Sequence, residues 1–171
     1  IEKFFWDEEK GAYIDSFTSG RRNVTRHANI FAILFSVADE KKQEKILKNV
    51  LENDEIPAIT TPYFNFFELD VLCRMGKLTE VLDKIRSYWG GMLDLGAVTF
   101  WEEYDPSVPK EEQYDMYGDH FGKSLCHAWA ASPIYFLAKY FAGLDLVNKD
   151  GVTYILKPQM QYFTELDCTL P

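Results

Sequence analysis

The sequence predicts an all-α chain of paired helices in two layers, closed by a short β segment. Three observations lead there. Segments that are apolar all round alternate with amphipathic ones, the links from the first kind to the second are very short, and the links back are long. A segment apolar on every side must be buried on most of them, whereas one with a single apolar stripe keeps a wet face. Long links that all lead into the buried helices gather on one rim, which is where a site is built. No fixed period of about 34 residues recurs, which argues against a superhelical repeat scaffold.

Taken in order, residues 1–6 (Ile1-Glu2-Lys3-Phe4-Phe5-Trp6) read as the end of a helix, with no methionine or cap before it, so the chain reads as a fragment. Residues 7–11 form a polar turn ending in Gly11, residues 12–15 a short strand, and 16–23 a loop rich in Ser and Gly. A first buried helix is expected over 24–38, because residues 30–37 are almost uniformly apolar. Asp39 is placed as the N-cap of an amphipathic helix over 40–52, with Ile46, Leu47, Val50 and Leu51 on one stripe.

The pattern repeats with a very apolar segment over 63–76. Gly76 closes it and Thr79 is the expected N-cap of the next helix, 79–92. That helix carries Val81, Leu82, Ile85, Tyr88, Trp89 and Met92 on one stripe. The longest connection, 94–122, precedes a last apolar helix over 125–142. After Gly143 the character changes, and residues 152–156 and 162–166 read as strands. The expected division is a helical domain over 1–149 and the start of a β-sandwich-like domain over 150–171.

At 171 residues and 47% hydrophobic content the chain can bury a substantial core. A net charge of −9, with only Arg21, Arg22 and Arg26 clustered, excludes a nucleic-acid partner. Cys73, Cys126 and Cys168 lie far apart without zinc spacing and read as buried thiols, and no metal or cofactor is implied. No apolar run reaches membrane-spanning length, and the compartment stays open. Aromatics make up 16% of the chain, enough to furnish a ligand-facing surface as well as a core.

Those aromatics meet carboxylates in the stretch Gly96-Ala97-Val98-Thr99-Phe100-Trp101-Glu102-Glu103-Tyr104-Asp105. On an extended backbone Phe100, Glu102 and Tyr104 point one way and Trp101 and Glu103 the other. A carboxylate between aromatic faces suits sugar chemistry: rings stack on apolar sugar faces while the carboxylate moves a proton or accepts a hydroxyl. The plain alternative is a hydrophobic hairpin with solvated acids.

The order and spacing of several strings give the chain a wider identity. These are Phe5-Trp6-Asp7 with Gly11-Ala12-Tyr13, then Arg26-His27-Ala28-Asn29, Thr61-Pro62-Tyr63-Phe64 and Tyr88-Trp89-Gly90-Gly91-Met92. The most specific are residues 96–102 and Ser124-Leu125-Cys126-His127-Ala128-Trp129. Together they resemble bacterial α-L-rhamnosidases of the six-hairpin glycosidase type across nearly the whole chain. Val98 stands where the family usually has Thr.

The resemblance implies the second part of an (α/α)6 toroid followed by a β-sandwich, and an inverting hydrolysis of terminal α-L-rhamnose. It makes Glu102 the general base and places His127 in the sugar pocket. The general acid lies in an acidic stretch upstream of Ile1, so the fragment itself is expected to be inactive. Trp101 and Trp129 are candidate sugar platforms, with core packing as the alternative for each, and Tyr63 is a further candidate on the same rim. Glu103 is expected to be structural or solvated. His120, with Asp115 and Asp119 nearby, matches no standard metal spacing. The implied partner is a rhamnosyl glycan or glycoside, and part of a ring leaves apolar faces through which the chain is expected to self-associate. The competing readings are another six-hairpin glycosidase and a non-catalytic helical scaffold that binds carbohydrate or protein.

Overall fold

Helices form the framework, and strands are few and short. The computed structural model describes residues 1–147, 153–167 and 169, and the chain divides into two units, Ile1–Thr60 and Thr61–Pro171.

In the first unit a short helix α1 (Glu2–Phe5) leads into strand β1 (Trp6–Asp7), which pairs antiparallel with β2 (Ala12–Tyr13). The Asp7 carboxylate closes the turn between them, accepting from the amides of Glu9 and Lys10 (both 3.1 Å) and from Arg22 Nε (2.8 Å). Gly11 completes that turn at φ +58°, and a Cβ there would lie 2.5 Å from Asn49 Nδ2. Glycine adopts that φ without the cost of a Cβ.

Helix α2 (Arg26–Leu34) is shorter than the expected 24–38. Ser36 turns left-handed at φ +56°, and the amides of Val37 and Ala38 both return to the Ala32 carbonyl at 2.9 Å, ending the helix. Two polar residues of the Arg26-His27-Ala28-Asn29 string are buried and bond to backbone. Asn29 pairs with both the amide and the carbonyl of Tyr13 (2.8 and 2.9 Å), serving the free edge of β2. Arg26 donates to the carbonyls of Leu51 (2.8 Å), Asn53 (3.3 Å) and Ile56 (3.5 Å), beyond the end of the next helix. That helix, α3 (Glu40–Ile46), continues as a π-helical turn, Leu47–Leu51. Asp39 caps it as expected, accepting from the Lys42 amide at 2.9 Å.

In the second unit α4 (Pro62–Arg74) starts on proline, which already has the helical φ and lacks only an amide that would go unpaired. Its buried residues run unbroken from Glu68 to Cys73. Glu68, 2% exposed, pairs with Lys84 at 2.6 Å. Asp70 takes Arg74 at 2.7 Å and the Tyr140 hydroxyl at 3.1 Å. Gly76 turns the chain at φ +75° and the Lys77 amide returns to the Leu72 carbonyl at 2.8 Å. Helix α5 (Leu78–Lys84) therefore begins one residue early, with Lys77 at the cap and Thr79 inside the first turn. A π-helical turn (Ile85–Trp89) joins it to α6 (Gly90–Asp94).

The expected contrast in burial holds for 24–38 against 40–52, where only Ile46, Val50 and Leu51 are buried. It does not hold for 63–76 against 79–92, because Val81, Leu82, Ile85, Tyr88, Trp89 and Met92 are all buried. It also fails at the last helix. A 3₁₀ turn (Ala128–Ala130) and α7 (Ser132–Phe136) with a π-helical turn (Leu137–Phe141) replace the expected 125–142. Pro133 stands in the first turn, where its missing amide has no helical partner to lose. Ile134 (64% exposed), Tyr135 and Leu137 leave an apolar side open.

The strand expectation needs a correction too. Strand β3 (Leu144–Leu146) pairs antiparallel with β4 (Tyr154–Leu156), whereas Met160–Tyr162 is a 3₁₀ turn and 162–166 forms no strand. Tyr162 and Phe163 instead set their rings edge-on against Phe141 (5.6 and 5.8 Å). Val152, Cys168 and the expected boundary at 149/150 lie outside the described residues. Of the thiols, Cys73 is buried, which pushes its pKa up to about 12, but Cys126 is exposed. No described helix is long and apolar enough to cross a membrane.

Candidate functional site

The site is built in the second unit, on seats that the Tyr88-Trp89-Gly90-Gly91 string provides. Gly91 has no side chain because Tyr104 lies against it: a Cβ would sit 2.4 Å from the Tyr104 hydroxyl oxygen. Tyr88 Oη accepts the Tyr104 amide at 3.2 Å, and its burial raises the pKa of that phenol. Trp89 Nε1 donates to the Ala130 carbonyl at 2.8 Å. One helical turn thus anchors the segment after Glu102 and the segment after His127.

Between these anchors the two segments run side by side. The Glu102 amide donates to the Ser124 carbonyl (2.9 Å) and the His127 amide to the Phe100 carbonyl (2.7 Å). Thr99 Oγ1 adds a bond to the Leu125 carbonyl. Phe100 and Glu102 both turn their backbones to the same neighbour, but 96–105 forms no strand and the chain bends at Glu102.

Glu102 is 7% exposed, and each of its oxygens has its own donor. Oε1 accepts the Tyr117 hydroxyl at 3.0 Å, and Oε2 accepts the Ser124 amide at 3.2 Å. His127 Nδ1 lies 3.8 Å from Oε2, too far for a hydrogen bond, and accepts or donates nothing else. A carboxylate offers about four lone-pair sites. With two filled, Glu102 keeps capacity to take a proton.

From His127 an aromatic series leads outward. Its imidazole stacks on Trp129 with centroids 4.1 Å apart, and Trp129 meets Tyr63, from the first turn of α4, at 5.3 Å. Trp129 and Tyr63 are 44% and 49% exposed, so each leaves part of its ring open to solvent. Glu102, His127, Trp129 and Tyr63, drawn from three separate stretches of sequence, are brought together.

Trp101 is not among them. It is 3% exposed and packs on Tyr114 at 5.6 Å, so it offers no face. His27 is exposed in the other unit. His120 pairs with Asp115 at 2.7 Å, and no described group of three or more His, Cys, Asp and Glu side chains converges as metal ligands. Two residues near Glu102 were missed by sequence reasoning. Lys123 is buried, which lowers its pKa, with the charges of Glu103, Asp105 and Asp115 acting in the opposite sense. Tyr117 reaches Glu102 from a loop. The local signal for it is the dipeptide Tyr117-Gly118, a turn in disguise.

The chain is similar to a rhamnosidase from Klebsiella oxytoca with rhamnose bound, at a TM-score of 0.71 and 32% sequence identity over 81% of this chain. It spans about a quarter of that enzyme's length (26%). No protein-family model and no curated protein matches it. The resemblance to bacterial rhamnosidases carried by its motifs is thus present in its backbone as well.

Proposed function

We propose that this rhamnosidase-like chain supplies the general base and part of the sugar wall of a glycosidase site that hydrolyses terminal α-L-rhamnosides with inversion. The observation that carries the reading is a buried Glu102, held at both oxygens, beside the open Tyr63–Trp129–His127 stack. It sits in a chain similar to a rhamnosidase seen with rhamnose bound.

In this mechanism Glu102 takes a proton from a water, whose oxygen attacks the anomeric carbon. The bond to the leaving oxygen breaks on the opposite face, and that oxygen takes a proton from a general acid. The two carboxyl groups stand roughly 6.5–9.5 Å apart in such enzymes, leaving room for the water. Neither nearby aspartate suits the acid's role. Asp105 Oδ1 accepts from Ser107 twice, at 2.9 and 2.6 Å, and Asp119 Oδ1 accepts from the Phe121 amide at 3.3 Å, tying each to its own loop. The acid comes from beyond this chain, which on its own is inactive. In isolation the chain self-associates through the apolar side that Ile134, Tyr135 and Leu137 leave open.

The test is a panel of aryl glycosides offered to the full-length protein, with the first product followed by proton NMR. The reading expects cleavage of the α-L-rhamnoside and initial release of the β anomer. Preference for a fucoside or glucuronide, or initial release of the α anomer, would contradict it.

A further inference from the structure

Tyr117 is out of keeping with its surroundings. It is 82% exposed, so its ring contributes little to packing, yet its hydroxyl lies 3.0 Å from a buried carboxylate oxygen, Glu102 Oε1. Its backbone is also unusual. Met116 and Asp119 exchange both amide bonds (3.0 and 2.9 Å) around Tyr117 and Gly118, which sit at φ +56° and +81°. That is a two-residue turn of the type that wants Asn-Gly or Gly-Gly, with an aromatic residue in its first left-handed position. Strained backbone of this kind persists where the surroundings demand it, and it clusters at functional sites.

The loop around the turn is fitted to it. A Cβ on Gly122 would lie 2.2 Å from the Met116 carbonyl oxygen, so only glycine lets the chain return there toward Ser124. Ser124 then gives its amide to the other Glu102 oxygen at 3.2 Å. One short loop therefore delivers both donors to the carboxylate, one to each oxygen. Two donors on opposite oxygens fix the rotation of a carboxylate about its last bond, which a single donor leaves free.

We propose that Tyr117 is a positioning residue for Glu102: the strained turn exists to set a phenol on Oε1, so that with the Ser124 amide on Oε2 the remaining lone pairs face the attacking water. This rests on Glu102 being the base. The bond to Glu102 raises the pKa of the phenol, so it remains a donor through neutral pH.

The experiment has two arms. In the full-length protein Tyr117→Phe keeps the ring and loses the hydroxyl, while Tyr117→Asn relieves the turn and loses the reach. Both should lower kcat on an aryl α-L-rhamnoside about tenfold with KM changed less than about twofold. Wild-type kcat in Tyr117→Phe would overturn the proposal. The second arm needs no turnover: in the ring-carbon NMR of labelled tyrosine, Tyr117 should titrate above the ordinary phenol value of about 10 and return to it in Glu102→Gln. An ordinary titration in the wild type would also overturn the proposal. A raised titration in a protein that cleaves no rhamnoside would keep Tyr117 on Glu102 and count against the hydrolase reading alone.

Discussion

Two buried polar constellations, one in each unit, look alike in sequence and differ in what surrounds them. Around α2, Arg26 and Asn29 direct their side chains to backbone carbonyls and an amide. In the stretch 96–105, Glu102 takes one side-chain and one backbone donor and stands beside His127 without bonding to it. The first pattern completes the bonding of helix ends and a strand edge. The second leaves acceptor capacity next to open aromatic rings. A buried polar residue bonded to backbone is scaffold; one with lone pairs in hand beside a ligand-facing surface is a candidate reagent.

The comparison can be broken at several strengths. Largest is Glu102→Gln in the full-length protein, which keeps shape and removes the proton acceptor. Turnover should fall by about a hundredfold to ten-thousandfold with rhamnose affinity nearly unchanged, measured by kinetics beside calorimetry. Asn29→Ala should behave in the opposite way. It strands the Tyr13 amide and carbonyl in a buried place, and each such orphan costs about 1–3 kcal/mol. The melting temperature should therefore drop by several degrees while rhamnose affinity stays constant. Smallest is Trp129→Ala, which removes one stacking face and should weaken rhamnose binding about tenfold, or about 1.4 kcal/mol, with stability little altered because the ring is already half open. A stability loss in Trp129→Ala larger than that of Asn29→Ala would show that the two roles are reversed.

Much of this was legible in the sequence because it rests on local rules. The apolar content of residues 63–76, the Asp39 cap and the Gly76 turn each follow from a few neighbouring residues, and all three are present. The residues around Glu102 were legible as strings, His127 with Trp129 and Tyr63 before them. What escaped depends on distant partners. Whether Trp101 or Trp129 shows a face is decided by Tyr114 covering one of them, and periodicity alone cannot see that cover. The pairing of β4 with β3 instead of 162–166 is a choice between partners of similar composition. Tyr117 escaped because its type contradicts its conformation: a turn is sought at Asn-Gly, and an aromatic there reads as loop.

The most direct measurement is chemical rescue. Glu102→Ala in the full-length protein removes the carboxylate and, with Glu102 as the proposed base, leaves a space on the face from which water would attack. Azide needs no base, since its nitrogen can attack the anomeric carbon while the leaving oxygen takes its proton from the intact acid. The account predicts that Glu102→Ala is nearly inactive on an aryl α-L-rhamnoside, that millimolar azide restores turnover, and that the product is β-L-rhamnosyl azide. A folded Glu102→Ala protein that hydrolyses the substrate at the wild-type rate, or one that azide converts to the α azide, would contradict it.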